Sequence, residues 1–177
     1  MIITLIGFMG CGKSSVGKAL AGKLGWDFAD SDSLVELGEQ MKIPEIFSNY
    51  GEKRFRELEY MYIGKTIDRY DSGTAPGKHQ ERNIIFSLGG GAPTYSPTAR
   101  LIKERTFPIY LKCPVEELIE NLRIDGTENR PVLAGHDLET RVRQLVSERE
   151  PVYSGCAGMV IHPYSITPEI IRSIRFR

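Results

Sequence analysis

The eight residues Gly7-Phe8-Met9-Gly10-Cys11-Gly12-Lys13-Ser14 obey the spacing G-x-x-x-x-G-K-S/T, and that spacing leaves few folds open. Glycines let the backbone curl until successive N–H groups point at one anion, and the N-terminus of a following helix adds partial positive charge. Gly10, Cys11, Gly12, Lys13, Ser14 and Ser15 are therefore candidate nucleotide-binding residues. Lys13 can reach the β- and γ-phosphates of ATP, and the Ser14 hydroxyl can ligate Mg²⁺. The pattern carries weight only between a strand and a helix. Here the apolar run Ile2–Ile6 reads as a buried strand ending at Gly7, and a helix is expected from Lys13 to about Leu24, stopped by Gly25.

The rest of the chain repeats that alternation. Trp26–Asp30 reads as a second strand, with Ser33 as the cap of a helix running towards Met41. Glu45 to about Ile67 is helical in pattern, with Phe47, Phe55, Leu58 and Tyr62 on the buried side and Gly51 breaking it in two. Ile84–Leu88 is a strand, Ser96-Pro97 opens a helix to Glu104, Phe107–Leu111 is a strand and Pro114–Arg123 a helix. Residues 124–136 carry Gly, Asn and Pro and read as a mobile lid. Asp137–Tyr153 is helical, Gly158–His162 is a last strand, and Thr167-Pro168 opens a C-terminal helix. Strands alternating with helices predict a three-layer α/β fold, a five-stranded parallel sheet covered on both faces. The 177 residues are about one domain's worth.

Composition narrows the function classes. Lys plus Arg and Asp plus Glu are equal at 23 each, so the chain lacks the basic excess expected of a nucleic-acid or membrane-surface binder. An anionic ligand must then be met by locally placed Arg, Lys and backbone N–H groups. Cys11, Cys113 and Cys156 are odd in number and lack metal-ligand spacing, which predicts reduced thiols in a cytoplasmic protein. Residues 2–6 are too few for a signal peptide or a membrane span.

There is no N-K-x-D motif for reading guanine, and Ile84–Leu88 does not end in an acidic residue. The acidic candidates instead follow the second strand, as Asp30-Ser31-Asp32. In a parallel sheet that strand end opens on the same edge as the Gly7–Ser14 loop. Two carboxylates there suit two roles, one near the metal's water shell and one near an acceptor hydroxyl; alternatively they form a turn with a helix cap. In Gly51–Glu59, Arg56 and Glu59 are three apart on one helix face, so Glu59 can orient a guanidinium fork shaped for a substrate carboxylate. A charged helix of this kind can equally be a solvated face. Gly89-Gly90-Gly91 after a strand admits close approach by a ligand, or makes a plain tight turn.

Taken together, the Gly7–Gly17 stretch, Asp30-Ser31-Asp32, Gly51–Glu59, Ser87–Gly91, Arg130-Pro131 and Arg149-x-x-x-Tyr153 resemble the shikimate kinase family, in the family's order and over nearly the whole chain. The resemblance implies ATP- and Mg²⁺-dependent phosphorylation of shikimate to shikimate 3-phosphate by a cytoplasmic monomer. It implies that Lys13 and Ser14 hold phosphates and Mg²⁺, with Asp30 on the metal through water. Asp32 would grip the shikimate hydroxyls and act as base for one of them, or only position it. Arg56 and Arg149 would clamp the carboxylate, with Gly89, Gly90 and Gly91 lining the ring. Arg130 would swing with the lid towards the phosphates as a catalytic residue, and Arg123 would flank adenine.

Two stretches depart from the family pattern. Residues 68–83 are longer than the usual connection and read as a disordered polar insertion, and Val160–Tyr164 replaces a polar segment near adenine. His79, His136 and His162 read as structural or solvated. Rival readings are another small-molecule kinase, acting on gluconate or a nucleoside monophosphate, and a non-catalytic nucleotide-binding module. Intact Lys13, Ser14, Asp30, Asp32 and Arg130 weigh against the module.

Overall fold

A computed structural model describes residues 1–71 and 82–174. Five strands, β1 (Ile2–Ile6), β2 (Asp27–Asp30), β3 (Ile84–Ser87), β4 (Phe107–Leu111) and β5 (Met159–Ile161), form one sheet in the order β2-β3-β1-β4-β5. Every neighbouring pair is parallel. The interior strands β1 and β3 are buried along their whole length, as expected where helices cover both faces. Alternate β1 side chains show those faces directly. Leu5 packs against Gly17 of α1 (Lys13–Leu24), whereas the Thr4 hydroxyl lies 2.8 Å from that of Thr106, at the end of α4 (Ser96–Arg105). The three-layer expectation holds.

The helices follow the sequence signals closely, with local corrections. Helix α1 ends at Gly25, left-handed at φ 70°. Helix α2 (Ser31–Glu39) begins before Ser33, and its cap is Asp30, whose Oδ1 accepts from the N–H groups of Asp32 and Ser33 at 3.1 and 3.2 Å. Asp30 leaves the strand still extended, so its carboxylate can reach back over the first turn. Helix α3 (Ile43–Asp71) is interrupted at Gly51, with φ 78° and ψ 170°, a conformation that glycine tolerates and other residues avoid. It also continues past Ile67, so residues 68–71 of the expected insertion are helical; Arg105 ties Asp68 and Asp71 at 2.6 Å each. Residues 72–81 of that expectation lie outside the described residues, and Arg82 and Asn83 lead into β3. Helix α5 (Val115–Asp125) likewise takes the first two residues of the expected lid, which continues to α6 (Leu138–Cys156) with a single 3₁₀ turn at Pro131–Leu133. Helix α7 (Pro168–Ser173) starts at a Thr167 cap.

The main core surrounds the sheet, and a second, smaller one lies away from it. Val35, Ile46, Phe55 and Leu58 are buried together between α2 and α3, with Phe47 and Tyr62 packed on them. The Phe47 and Phe55 rings sit 4.9 Å apart. This cluster holds the two halves of the Gly51-kinked helix and the end of α2 as one body beside the sheet's carboxyl edge. Among the described residues no helix is long and apolar enough to cross a membrane.

Candidate active site

The carboxyl ends of β1, β2 and β3 converge on one edge. Asp30 pairs in register with Ser87, and Ser87 with Leu5, two residues before Gly7. The loop after β1 curls through Gly10 and Gly12, both at φ 80°. Lys13 folds back over it and donates from Nζ to the carbonyls of Gly7 and Phe8 at 3.0 and 2.9 Å. Ser14 donates to Asp30 Oδ2 at 2.6 Å and lies 3.3 Å from the Ser87 hydroxyl. These groups, with Gly10, Gly12 and Ser15, border a small cleft of about 210 Å³. Cys11 turns its side chain inward, with Sγ 3.8 Å from Lys13 Nζ, so only its backbone faces a ligand.

A larger cleft of about 460 Å³ adjoins the first and is bounded by Arg56, Arg149, Phe47, Phe55 and Gly91. Arg56 is almost fully buried and doubly anchored, donating from Nη1 to Glu59 Oε2 at 2.7 Å and from Nη2 to Glu52 Oε1 at 3.1 Å. Those bonds fix the plane of the fork. They do not exhaust the polar groups. Arg56 Nε and Glu59 Oε1 are buried with no hydrogen-bond partner among the described residues. The Arg149 guanidinium stacks 5.9 Å above the Phe8 ring.

The triple glycine closes the floor. A side chain on Gly91 would collide with the Arg56 guanidinium, and one on Gly89 with the carboxylates of Asp32 and Glu59. Gly89 donates its N–H to Ser31 Oγ at 2.8 Å, and Tyr153 donates its hydroxyl to the Gly90 carbonyl. Asp32, Gly89, Gly90 and Arg130 border both clefts. Arg130 reaches that border from the connection between α5 and α6, donating to the Gly126 carbonyl and lying 3.6 Å from Asp125.

Asp32 is electrostatically unusual. Burial pushes its carboxyl up to about 7, and the negative charges of Glu59 and Asp30 push the same way, against Lys13 and Arg56. Burial raises Glu59 too, opposed by Arg56 and Arg149. A carboxyl that exchanges its proton near neutrality, at the junction of two clefts, is equipped for general-base work.

The sequence-predicted residues thus come together at one edge, except Arg123. That side chain is exposed, faces Glu120 and Glu139 at 3.7 Å each, and borders neither cleft. Glu52, Ser31, Ser87 and Tyr153 stand within the motifs quoted from the sequence, but the sequence assigns none of their hydrogen bonds. For Glu52 a signal existed, since it precedes Arg56 by four residues on one helix.

The shikimate kinase family model matches residues 9–175. The chain belongs to the shikimate kinase family. It is 38% identical over 167 residues to the shikimate kinase of Thermodesulfovibrio yellowstonii, covering 94% of this chain and 88% of that one. With the shikimate kinase of Persephonella marina the identity is 36% over 177 residues, covering 98% of both chains. Among solved structures, a shikimate kinase from Acinetobacter baumannii in complex with shikimate superposes with a TM-score of 0.80 at 34% identity, covering 91% of this chain and 82% of that one. The activity is that of a shikimate kinase, an ATP-dependent phosphotransferase of the shikimate pathway.

Proposed function

We propose that ATP lies in the small cleft with Mg²⁺, that shikimate lies in the larger one, and that the phosphoryl group crosses where they meet, at Asp32 and Arg130. The observation that carries this reading is the shared border. Asp32 and Arg130 belong to both clefts, while Lys13 borders only the first and Arg56 only the second. Phosphoryl transfer asks little covalent chemistry of a protein and much positioning and charge neutralisation. Lys13 and the loop N–H groups would hold the phosphates. Arg56 and Arg149 would take the substrate carboxylate, leaving its hydroxyls towards Asp32. Asp32 would accept the proton of the attacking hydroxyl, Arg130 would offset charge on the transferred group, and lid closure would exclude water.

The Ser14 hydroxyl and the Asp30 carboxylate, 2.6 Å apart, are hard oxygen donors of the kind Mg²⁺ takes, Asp30 through water. Bound there, Mg²⁺ would supply positive charge against the β- and γ-phosphates. The reading is of a monomer working in the cytoplasm, where the three unpaired thiols Cys11, Cys113 and Cys156 would stay reduced. The test is a coupled ADP-release assay with shikimate, gluconate and a nucleoside monophosphate as acceptors, run with Mg²⁺ and with a chelator. ADP should appear only with shikimate and Mg²⁺. Comparable release with another acceptor, or without the metal, would overturn the reading.

Two substitutions probe the acceptor end. Arg56→Lys keeps the charge but replaces a planar fork with a point donor. Losing one charge-assisted hydrogen bond in this buried site should cost roughly 1.5–3 kcal/mol, about ten- to a hundred-fold in shikimate affinity. Gly91→Ala should mimic that loss, because its methyl group would push the guanidinium off its anchors. Titration with shikimate checks both, and unchanged affinity in either variant would remove Arg56 from the carboxylate site.

A further inference from the structure

Cys113 and Glu117 are four residues apart, and His162 follows Glu117 by 45. The fold nonetheless brings one ligand atom of each within 4.8 Å of the other two. The cause is the sheet. Strands β4 and β5 pair in parallel with Leu111 opposite Ile161, so the residues that follow, Cys113 and His162, leave the same edge side by side. Glu117 reaches them from the first turn of α5. From these positions we infer a binding site for a borderline-soft divalent cation of the Zn²⁺ class, held by Cys113 Sγ, a Glu117 carboxylate oxygen and His162 Nε2.

The distances suit the ion. Zn–S bonds of about 2.3 Å and Zn–N or Zn–O bonds of about 2.0–2.1 Å in a tetrahedron place ligand atoms roughly 3.3–3.6 Å apart. His162 Nε2 and Glu117 Oε2 already stand 3.3 Å apart. Cys113 Sγ lies within 4.8 Å of both, so the site closes on the ion by about 1 Å. The donor set also selects the metal. Thiolate with imidazole favours Zn²⁺ or Co²⁺ and disfavours Mg²⁺, which prefers oxygen and keeps its waters. Three protein ligands leave a fourth position for water, and the partly exposed Glu117 and His162 side chains leave a path of entry.

Binding changes two proton positions. The Cys113 thiol, whose Sγ lies 3.9 Å from the Cys11 carbonyl, gives its proton to solvent as the sulfur–metal bond forms. His162 Nδ1 accepts a long contact from the Tyr164 N–H at 3.4 Å, which places the ring proton on Nε2. Metal at Nε2 moves that proton to Nδ1, and the exposed Tyr164 turns its N–H to water. Because Cys113 touches the backbone of Cys11, an occupied site would brace the ends of β4 and β5 against the phosphate-binding loop.

The test is titration of the intact protein with Co²⁺ in excess Mg²⁺, followed by absorbance. One equivalent of Co²⁺ should produce a thiolate-to-cobalt charge-transfer band, and Zn²⁺ should displace it. The band should vanish in Cys113→Ser and persist in Cys156→Ser. His162→Ala should weaken Co²⁺ binding at least about 10-fold, since loss even of an outer-shell partner typically costs 10–100-fold. A melting temperature raised by Zn²⁺ in the wild type but not in Cys113→Ser would support the site independently of colour. The inference is overturned if the wild type gives no band, if the band survives Cys113→Ser, or if a folded His162→Ala variant binds Co²⁺ as tightly as the wild type.

Discussion

Lys13→Ala should lower turnover by about 10²–10³-fold while the protein stays folded. The ammonium is the one side-chain cation seated within the phosphate loop, and its loss removes stabilisation of charge developing on the transferred group. The fold should survive because taking this donor from the carbonyls of Gly7 and Phe8 costs about 1–3 kcal/mol, less than the usual stability of a domain. Steady-state ADP release, read beside a melting curve, checks both halves. A folded variant with near-wild-type turnover would remove Lys13 from the mechanism.

Asp32→Asn should slow turnover by about 10²–10⁴-fold, the usual yield of a positioned general base. Asparagine keeps the shape but cannot accept a proton. With the wild-type carboxyl pushed up to about 7, the rate should rise with pH through neutrality as Asp32 ionises, and the variant should lose that limb. Stability should move the other way. Between the usual aspartate range and about 7, the folded protein holds a proton that the unfolded chain releases. Wild-type stability is therefore fullest below the unfolded value and falls as pH rises through about 7, by roughly 2–4 kcal/mol for a shift of this size. Asparagine carries no such penalty, so the variant should melt higher than the wild type at pH 8 and close to it at pH 4. Should the variant keep both the height and the shape of the pH–rate profile, Asp32 only positions the hydroxyl.

What could be read from sequence divides along a physical line. The strand–glycine turn–helix unit of residues 2–24, the Arg56–Glu59 pair and the Thr167 cap depend on spacings of a few residues within one turn or helix, and each appears as expected. The α/β alternation was legible for the same reason, since hydrophobic period is local. Asp30, not Ser33, caps α2, because its backbone is still extended and its carboxylate accepts from the first turn, a choice that composition alone leaves open. The contacts that close the site are different in kind. Tyr153 to Gly90 spans 63 residues and Ser14 to Asp30 joins the start of α1 to the end of β2, so both depend on how the elements are placed around the sheet. So does the meeting of Cys113 with His162, which no spacing rule along the chain encodes.

The central claim is that donor and acceptor have separate clefts joined at Asp32. Separate titrations of ATP and of shikimate into the wild type, Lys13→Ala and Arg56→Lys test it most directly. Lys13→Ala should weaken ATP and leave shikimate nearly unchanged, and Arg56→Lys should weaken shikimate about ten- to a hundred-fold and leave ATP nearly unchanged. Equal weakening of both ligands by either substitution would contradict the two-cleft account.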